Sequence, residues 1–163
     1  MNLQGAIKSA LKLSDLVWQS YVGDLTDDEL MVRPVPGANH IKWQLGHLIA
    51  SEATFNALLA ADKAVPLPAG FAEQYKSETA SSDDPTKFHS KDELLKLAAE
   101  QRAVTLAGIE SLSEADLDKP TPEHMQNYCP TIGDIVLLIP AHWTMHSGQW
   151  AIVRRKLGRA PLF

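Results

Sequence analysis

Three observations on the sequence predict an all-α fold, a four-helix bundle with an up-down-down-up path. Four long stretches repeat apolar residues at three-and-four spacing, and no stretch alternates apolar and polar residues as a half-buried strand would. One connection, between the second and third helices, is long enough to run the length of a bundle.

The first helix spans residues 3 to 22, with Leu3, Ile7, Leu11, Val17, Trp18 and Tyr21 on its apolar side. Leu25 to Gly37 is a connector, in which Thr26-Asp27-Asp28-Glu29 starts a short helical turn and Pro34 and Pro36 end it. The second helix begins near Asn39, a good N-cap residue, and runs through Ile41, Leu45, Leu48 and Phe55 to about Ala61. From Asp62 to His89 the helical period vanishes, and roughly 28 residues of connection is unusually long for a compact domain. Such loops serve as crossovers, lids or binding elements, and Phe71, Tyr75 and Phe88 give this one apolar anchors. Ser90 and Glu93 have the spacing of a capping box and open the third helix, which runs through Leu94, Leu97, Val104 and Ile109 to Leu112. Ser113 to Pro130 is a polar connector, and Thr131 with Asp134 caps a fourth helix reaching Lys156. Helices of this length bury their stripes against one another, and the long crossover makes the second and third parallel.

The chain, residues 1–163, is read as one domain, large enough for a hydrophobic core. Its 45% apolar and 21% charged residues are ordinary for a soluble protein. A net charge of -5 supplies no basic face for nucleic acid or an anionic membrane surface, so neither is expected as a partner. No apolar stretch reaches membrane-spanning length, and the N-terminus lacks the pattern of a secretion signal, so a cytoplasmic location is expected. The single cysteine, Cys129, excludes an intrachain disulfide and thiolate zinc sites. Any metal must be held by nitrogen and oxygen.

Chemistry concentrates in the fourth helix. His142 and His146 stand four residues apart, so their imidazoles share one face at metal-ligand spacing. Six histidines in a chain this long produce such a pair by accident in roughly one case in five, so the context matters. Ile135, Leu138 and Ile139 precede His142 on the same side, which aims both rings toward the core. A catalytic zinc-type site normally has three protein ligands, and His47 in the second helix is the candidate for the third. The two helices can bring them together if their ends are staggered.

Other residues near the pair carry open alternatives. Pro140 bends the helix, either to expose the metal or as a packing feature. Gly148 is explained by a close helix crossing, and Gln149 by either a contact to a metal-bound water or a place at the core edge. His40 is placed at the solvent side or a pocket rim, and His89 and His124 are exposed in loops. Trp143 and Trp150 are core or dimer-interface aromatics.

The run Trp43-Gln44-Leu45-Gly46-His47-Leu48, the segment Thr131-Ile132-Gly133-Asp134, and His142-x-x-x-His146-Ser147-Gly148-Gln149 followed by Arg154-Arg155-Lys156-Leu157-Gly158 resemble the DinB-like family of metal-binding four-helix proteins. The resemblance covers nearly the whole chain. It implies an up-down-down-up bundle, a divalent metal held by His47, His142 and His146, and assembly as a homodimer. Ser147 departs from the family pattern, in which another histidine or a basic residue is common, and this bears on substrate contacts.

Three neutral imidazoles leave a metal its full charge and an open position, where a bound water is acidified and a thiol is deprotonated. Zinc or nickel are the first candidates, with iron admitted, since imidazole suits several metals. One expected function is a transferase that adds a small cellular thiol to an electrophilic small-molecule substrate, as the resemblance also implies. A hydrolase using metal-bound hydroxide is the alternative. A non-enzymatic dimeric metal-binding module is a third, because no general base stands near the ligands and Glu52 projects away from His47.

Overall fold

The computed structural model describes residues 2–163. Four long helices, α1 (Leu3–Val22), α2 (Ile41–Leu59), α4 (Lys91–Ser111) and α6 (Ile132–Lys156), alternate with irregular segments. Two short helices, α3 (Phe71–Gln74) and α5 (Glu114–Leu117), lie in the second and third of those segments. No strand is present among the described residues, and no helix there is long and apolar enough to cross a membrane.

Local chemistry sets the starts of the helices. Asn2 caps α1 through Gly5 N–H. Ser90 with Glu93 and Thr131 with Asp134 form complete capping boxes, each side chain bonding the other's backbone N–H. Ser113 and Asp116 form a third, inside the segment expected to be a polar connector. The start of α2 differs from expectation. His40, not Asn39, is its N-cap, with Nδ1 accepting Trp43 N–H at 3.0 Å. At the other end of α6, Arg154, Arg155 and Lys156 put positive charge on the negative end of the helix dipole.

Side-chain pairings give the direction of each helix. Ser14, Trp18 and Tyr21 meet Pro140, Trp143 and Arg154 in rising order, so α1 and α6 are parallel. Gln44 meets Trp150 while Glu52 meets Trp143, so α2 opposes α6. Glu52, Asn56 and Ala60 meet Arg102, Thr105 and Gly108, so α4 runs alongside α2. Gln4, Lys8 and Asp15 meet Leu112, Glu110 and Arg102, which sets α1 against α4. The path is up-down-down-up, and the residues between Leu59 and Lys91 make the crossover.

The crossover is tied to the first half of α2. Phe71, Tyr75 and Phe88 are buried in it, as their apolar character predicts. Trp43 Nε1 donates to Lys76 O and Thr79 Oγ1, and Arg33 donates to Ala38 O, Ala80 O and Ser82 O. The ring of Tyr75 occupies the space that a Cβ on Gly46 would need. Only glycine at position 46 admits this contact. Gly148 is the opposite case. No atom lies within 4 Å of where its Cβ would be, so the expected close helix crossing is not at Gly148; the glycine set against a neighbouring long helix is Gly108, beside Leu59 and Ala60.

Candidate metal centre

The antiparallel stagger of α2 and α6 sets His47 opposite His142 and His146. Ring centroids lie 5.2 Å apart for His47 and His142, 5.5 Å for His47 and His146, and 4.9 Å for His142 and His146. Each residue offers a ring nitrogen, and these nitrogens lie within 4.8 Å of one another. All three side chains are half-buried, so each is partly walled by protein and partly open to solvent.

The surroundings keep the rings neutral. Burial pushes His142 and His146 down to about 4, with neighbouring histidine charge as a smaller cause. His47 is lowered by burial too. At neutral pH each imidazole therefore presents a lone pair. Trp43 lies flat on His47, with centroids 5.1 Å apart and planes 4° from parallel, which fixes the ring's orientation. Gln44 Oε1 lies 2.8 Å from His146 Nδ1 and accepts Trp150 Nε1–H at 2.8 Å.

The donor set fits a divalent transition metal. Three nitrogens on one zinc at about 2.0–2.1 Å are about 3.3 Å apart in a tetrahedral shell, so a set already gathered this closely is near that arrangement. No side-chain hydrogen bond among the described residues engages the rings of His47 or His142. The ring nitrogens of these two residues are therefore free of the protein's own hydrogen bonds and open to a ligand.

His40 shows the contrast. It is fully buried, its Nδ1 caps α2 and its Nε2 donates to Ser82 O at 3.2 Å, so both nitrogens are committed to the protein. The expected solvent-side or rim position is overturned, because capping turns the ring inward. His89 is also not a freely exposed loop residue. It is half-buried against Phe71 and Tyr75, whose hydroxyl lies 3.1 Å from its Nδ1. His124 is exposed, as expected.

The sequence profile of the DinB superfamily matches residues 15–150. The chain belongs to that superfamily. Among solved structures, a crystal structure described as a conserved protein from Enterococcus faecalis has the same fold, with a TM-score of 0.72 at 17% identity, covering 98% of this chain and 99% of that one. No curated protein matches the sequence.

Within this DinB bundle the remaining residues fall on either side of the cluster. Ser147 is fully buried and donates to Trp143 O, so the departure at that position does not touch the solvent-open part of the site. Gln149 is exposed, which rules out the expected place at the core edge. Trp143 and Trp150 are core residues. Pro140 is buried on the face of α6 that meets α1, where its carbonyl accepts Ser14 Oγ–H. That placement favours a packing feature over an opening of the site. Trp43 and Gln44 support the histidines beyond what the histidine spacing indicates. The available signals were the four-residue step from Trp43 to His47 and the shared face of Gln44 and His47.

Proposed function

We propose that this DinB protein is a metal-dependent transferase in which His47, His142 and His146 hold a divalent metal, zinc or nickel, and a low-molecular-weight thiol is added to an electrophilic small molecule. The observation that carries this is a partly solvent-open cluster of three imidazoles, kept neutral by burial, that no Asp, Glu or Cys among the described residues joins. A divalent ion held by His47, His142 and His146 would supply positive charge and lower the pKa of a thiol bound beside them.

The chain's residues account for what the site lacks. Glu52 has both carboxylate oxygens bonded elsewhere, to Thr105 Oγ1 at 2.6 Å and Trp143 Nε1 at 2.7 Å, so it is not a general base for water. Cys129 precedes α6, is buried, and has its thiol raised by that burial, so the nucleophile comes from outside the chain. A thiol, with an ordinary pKa of about 8.5, needs far less help to ionise than water at about 15.7, which favours transfer over hydrolysis where no base is at hand. The transfer forms a sulfur–carbon bond, the leaving group departs with its electron pair, and the thiol proton goes to solvent. A cytoplasmic setting accords with a lone, buried cysteine.

A second copy of the chain is part of the same proposal. Leu13, Leu137 and Met145 are 59 to 61% exposed and line an apolar groove with Val17, Ala141 and Thr144 between α1 and α6. Pairing two such faces would bury them.

The test is to strip the protein with chelator, reload it with zinc or nickel, and assay thiol conjugation beside ester and amide hydrolysis. Metal-dependent conjugation is expected. Hydrolysis alone would transfer the site to the hydrolase alternative, and no activity above the metal-free control would leave a binding module.

A further inference from the structure

We propose that Gln44 is a positioning residue that holds His146 in the Nδ1–H tautomer and so reserves His146 Nε2 as the metal-binding atom. This rests on the metal-site proposal above and assigns within it a residue and an atom that the histidine spacing does not specify.

The argument starts from donors whose identity is fixed. An indole nitrogen can only donate, so the Gln44 atom that lies 2.8 Å from Trp150 Nε1 must be the carbonyl oxygen. Independently, the other end of the amide lies 2.7 Å from Asn39 O, which can only accept, so that end must be the NH2 group. The reversed amide would set donor against donor at Trp150 and acceptor against acceptor at Asn39. Both neighbours therefore require the same orientation.

With the oxygen placed, the histidine follows. His146 Nδ1 lies 2.8 Å from that oxygen, and two acceptors cannot share a hydrogen bond, so Nδ1 carries the proton. A neutral imidazole has one N–H, which leaves the lone pair on Nε2. Gln44 is fully buried, so water does not compete for its oxygen. A metal-bound histidine commonly donates its second nitrogen in this way, which fixes the ring and raises its basicity. The arrangement also ties the site to the crossover end of the bundle, because Asn39 and His40 adjoin the start of α2. His40 carries the opposite tautomer, accepting at Nδ1 and donating from Nε2, which shows that the fold sets each ring separately.

The experiment has two arms. Long-range nitrogen–proton NMR on the metal-free protein reads the tautomer directly, and His146 should be in the Nδ1–H form. An Nε2–H form overturns the proposal, whether or not the protein binds metal. Zinc and nickel titrations then compare the native protein with Gln44→Met and Gln44→Glu. Gln44→Met should weaken binding by about 10- to 100-fold. Gln44→Glu, which keeps an acceptor for both N–H groups but loses the donor to Asn39 O, should recover part of that loss. Equal affinity in all three would overturn the positioning role while leaving the three-histidine site intact. A native protein that takes up neither metal would defeat the metal site itself, and the NMR arm would still decide the tautomer.

Discussion

Two polar clusters sit back to back on α2 and α6, and they are solved in opposite ways. Around Glu52 the carboxylate is closed by protein donors and faced by a buried guanidinium that makes charge contacts rather than hydrogen bonds. Trp143 and Thr105 bond the carboxylate, Arg102 stands 3.3 Å from it and from Asp15, and Asp15 accepts Trp18 Nε1–H. Burial raises Glu52, and the Arg102 charge opposes that rise. Around His47, His142 and His146 the chain gathers three bases and then leaves ring nitrogens unengaged. The first cluster carries an internal charge pair that holds α1, α2, α4 and α6 together. The second carries a binding capacity that the fold does not itself use.

The largest expected effect separates these roles. His142→Ala should abolish retention of metal, measured by elemental analysis, because two nitrogens replace three. The metal-free variant should stay within about 1 kcal/mol of the parent in urea unfolding, since the lost ring is half-exposed and unpaired. Equal metal content in variant and parent would remove the site. Arg102→Ala should behave in reverse. It strands the Glu52 carboxylate in the core and should cost about 3–5 kcal/mol of stability, while metal uptake by the folded fraction persists. Loss of metal binding without loss of stability would show that the clusters are coupled.

Acid should sharpen the contrast. His40, His142 and His146 are held at about 4 against an ordinary value of 6.5. Between those values the unfolded chain binds protons that the folded chain refuses, so stability falls as pH drops through this window. The contribution linked to these three rings is complete above about 6.5 and used up near 4 and below. Melting temperature against pH, with and without metal, should show that fall in the metal-free protein. A flat profile would mean that the rings protonate freely in the fold.

The smallest effects compare two glycines. Gly46→Ala should cost about 1–3 kcal/mol, because the added methyl meets the Tyr75 ring beside His47. Gly148→Ala has open space and should stabilise α6 by up to about 1 kcal/mol. Denaturant midpoints would check both, and the reverse order would contradict the packing at Gly46.

Much of this was legible from residues close in sequence. The period of apolar positions marked the four long helices, and Ser90 and Thr131 marked the starts of α4 and α6 through partners three residues away. The helical pitch alone put His142 and His146 on one face. The misplacements had a common cause. Asn39 is a good cap by composition, but the buried ring of His40 gains Ser82 O from the crossover as well as Trp43 N–H. Gly148 and Gly46 look alike in a helix until a neighbour is placed beside one of them.

By itself the sequence determined what depends on a few neighbouring residues: helical period, caps and the spacing of the histidine pair. The tertiary structure decided what depends on the stagger of helices far apart in the chain. Gln44 reaches His146 across 102 positions, and Glu52 reaches Trp143 across 91. The long crossover and the packing of Tyr75 on Gly46 tie down the half of α2 that bears Gln44 and His47, while the buried Glu52 network holds the other half against α6. One turn of slip would move a residue 5.4 Å, enough to part the three rings.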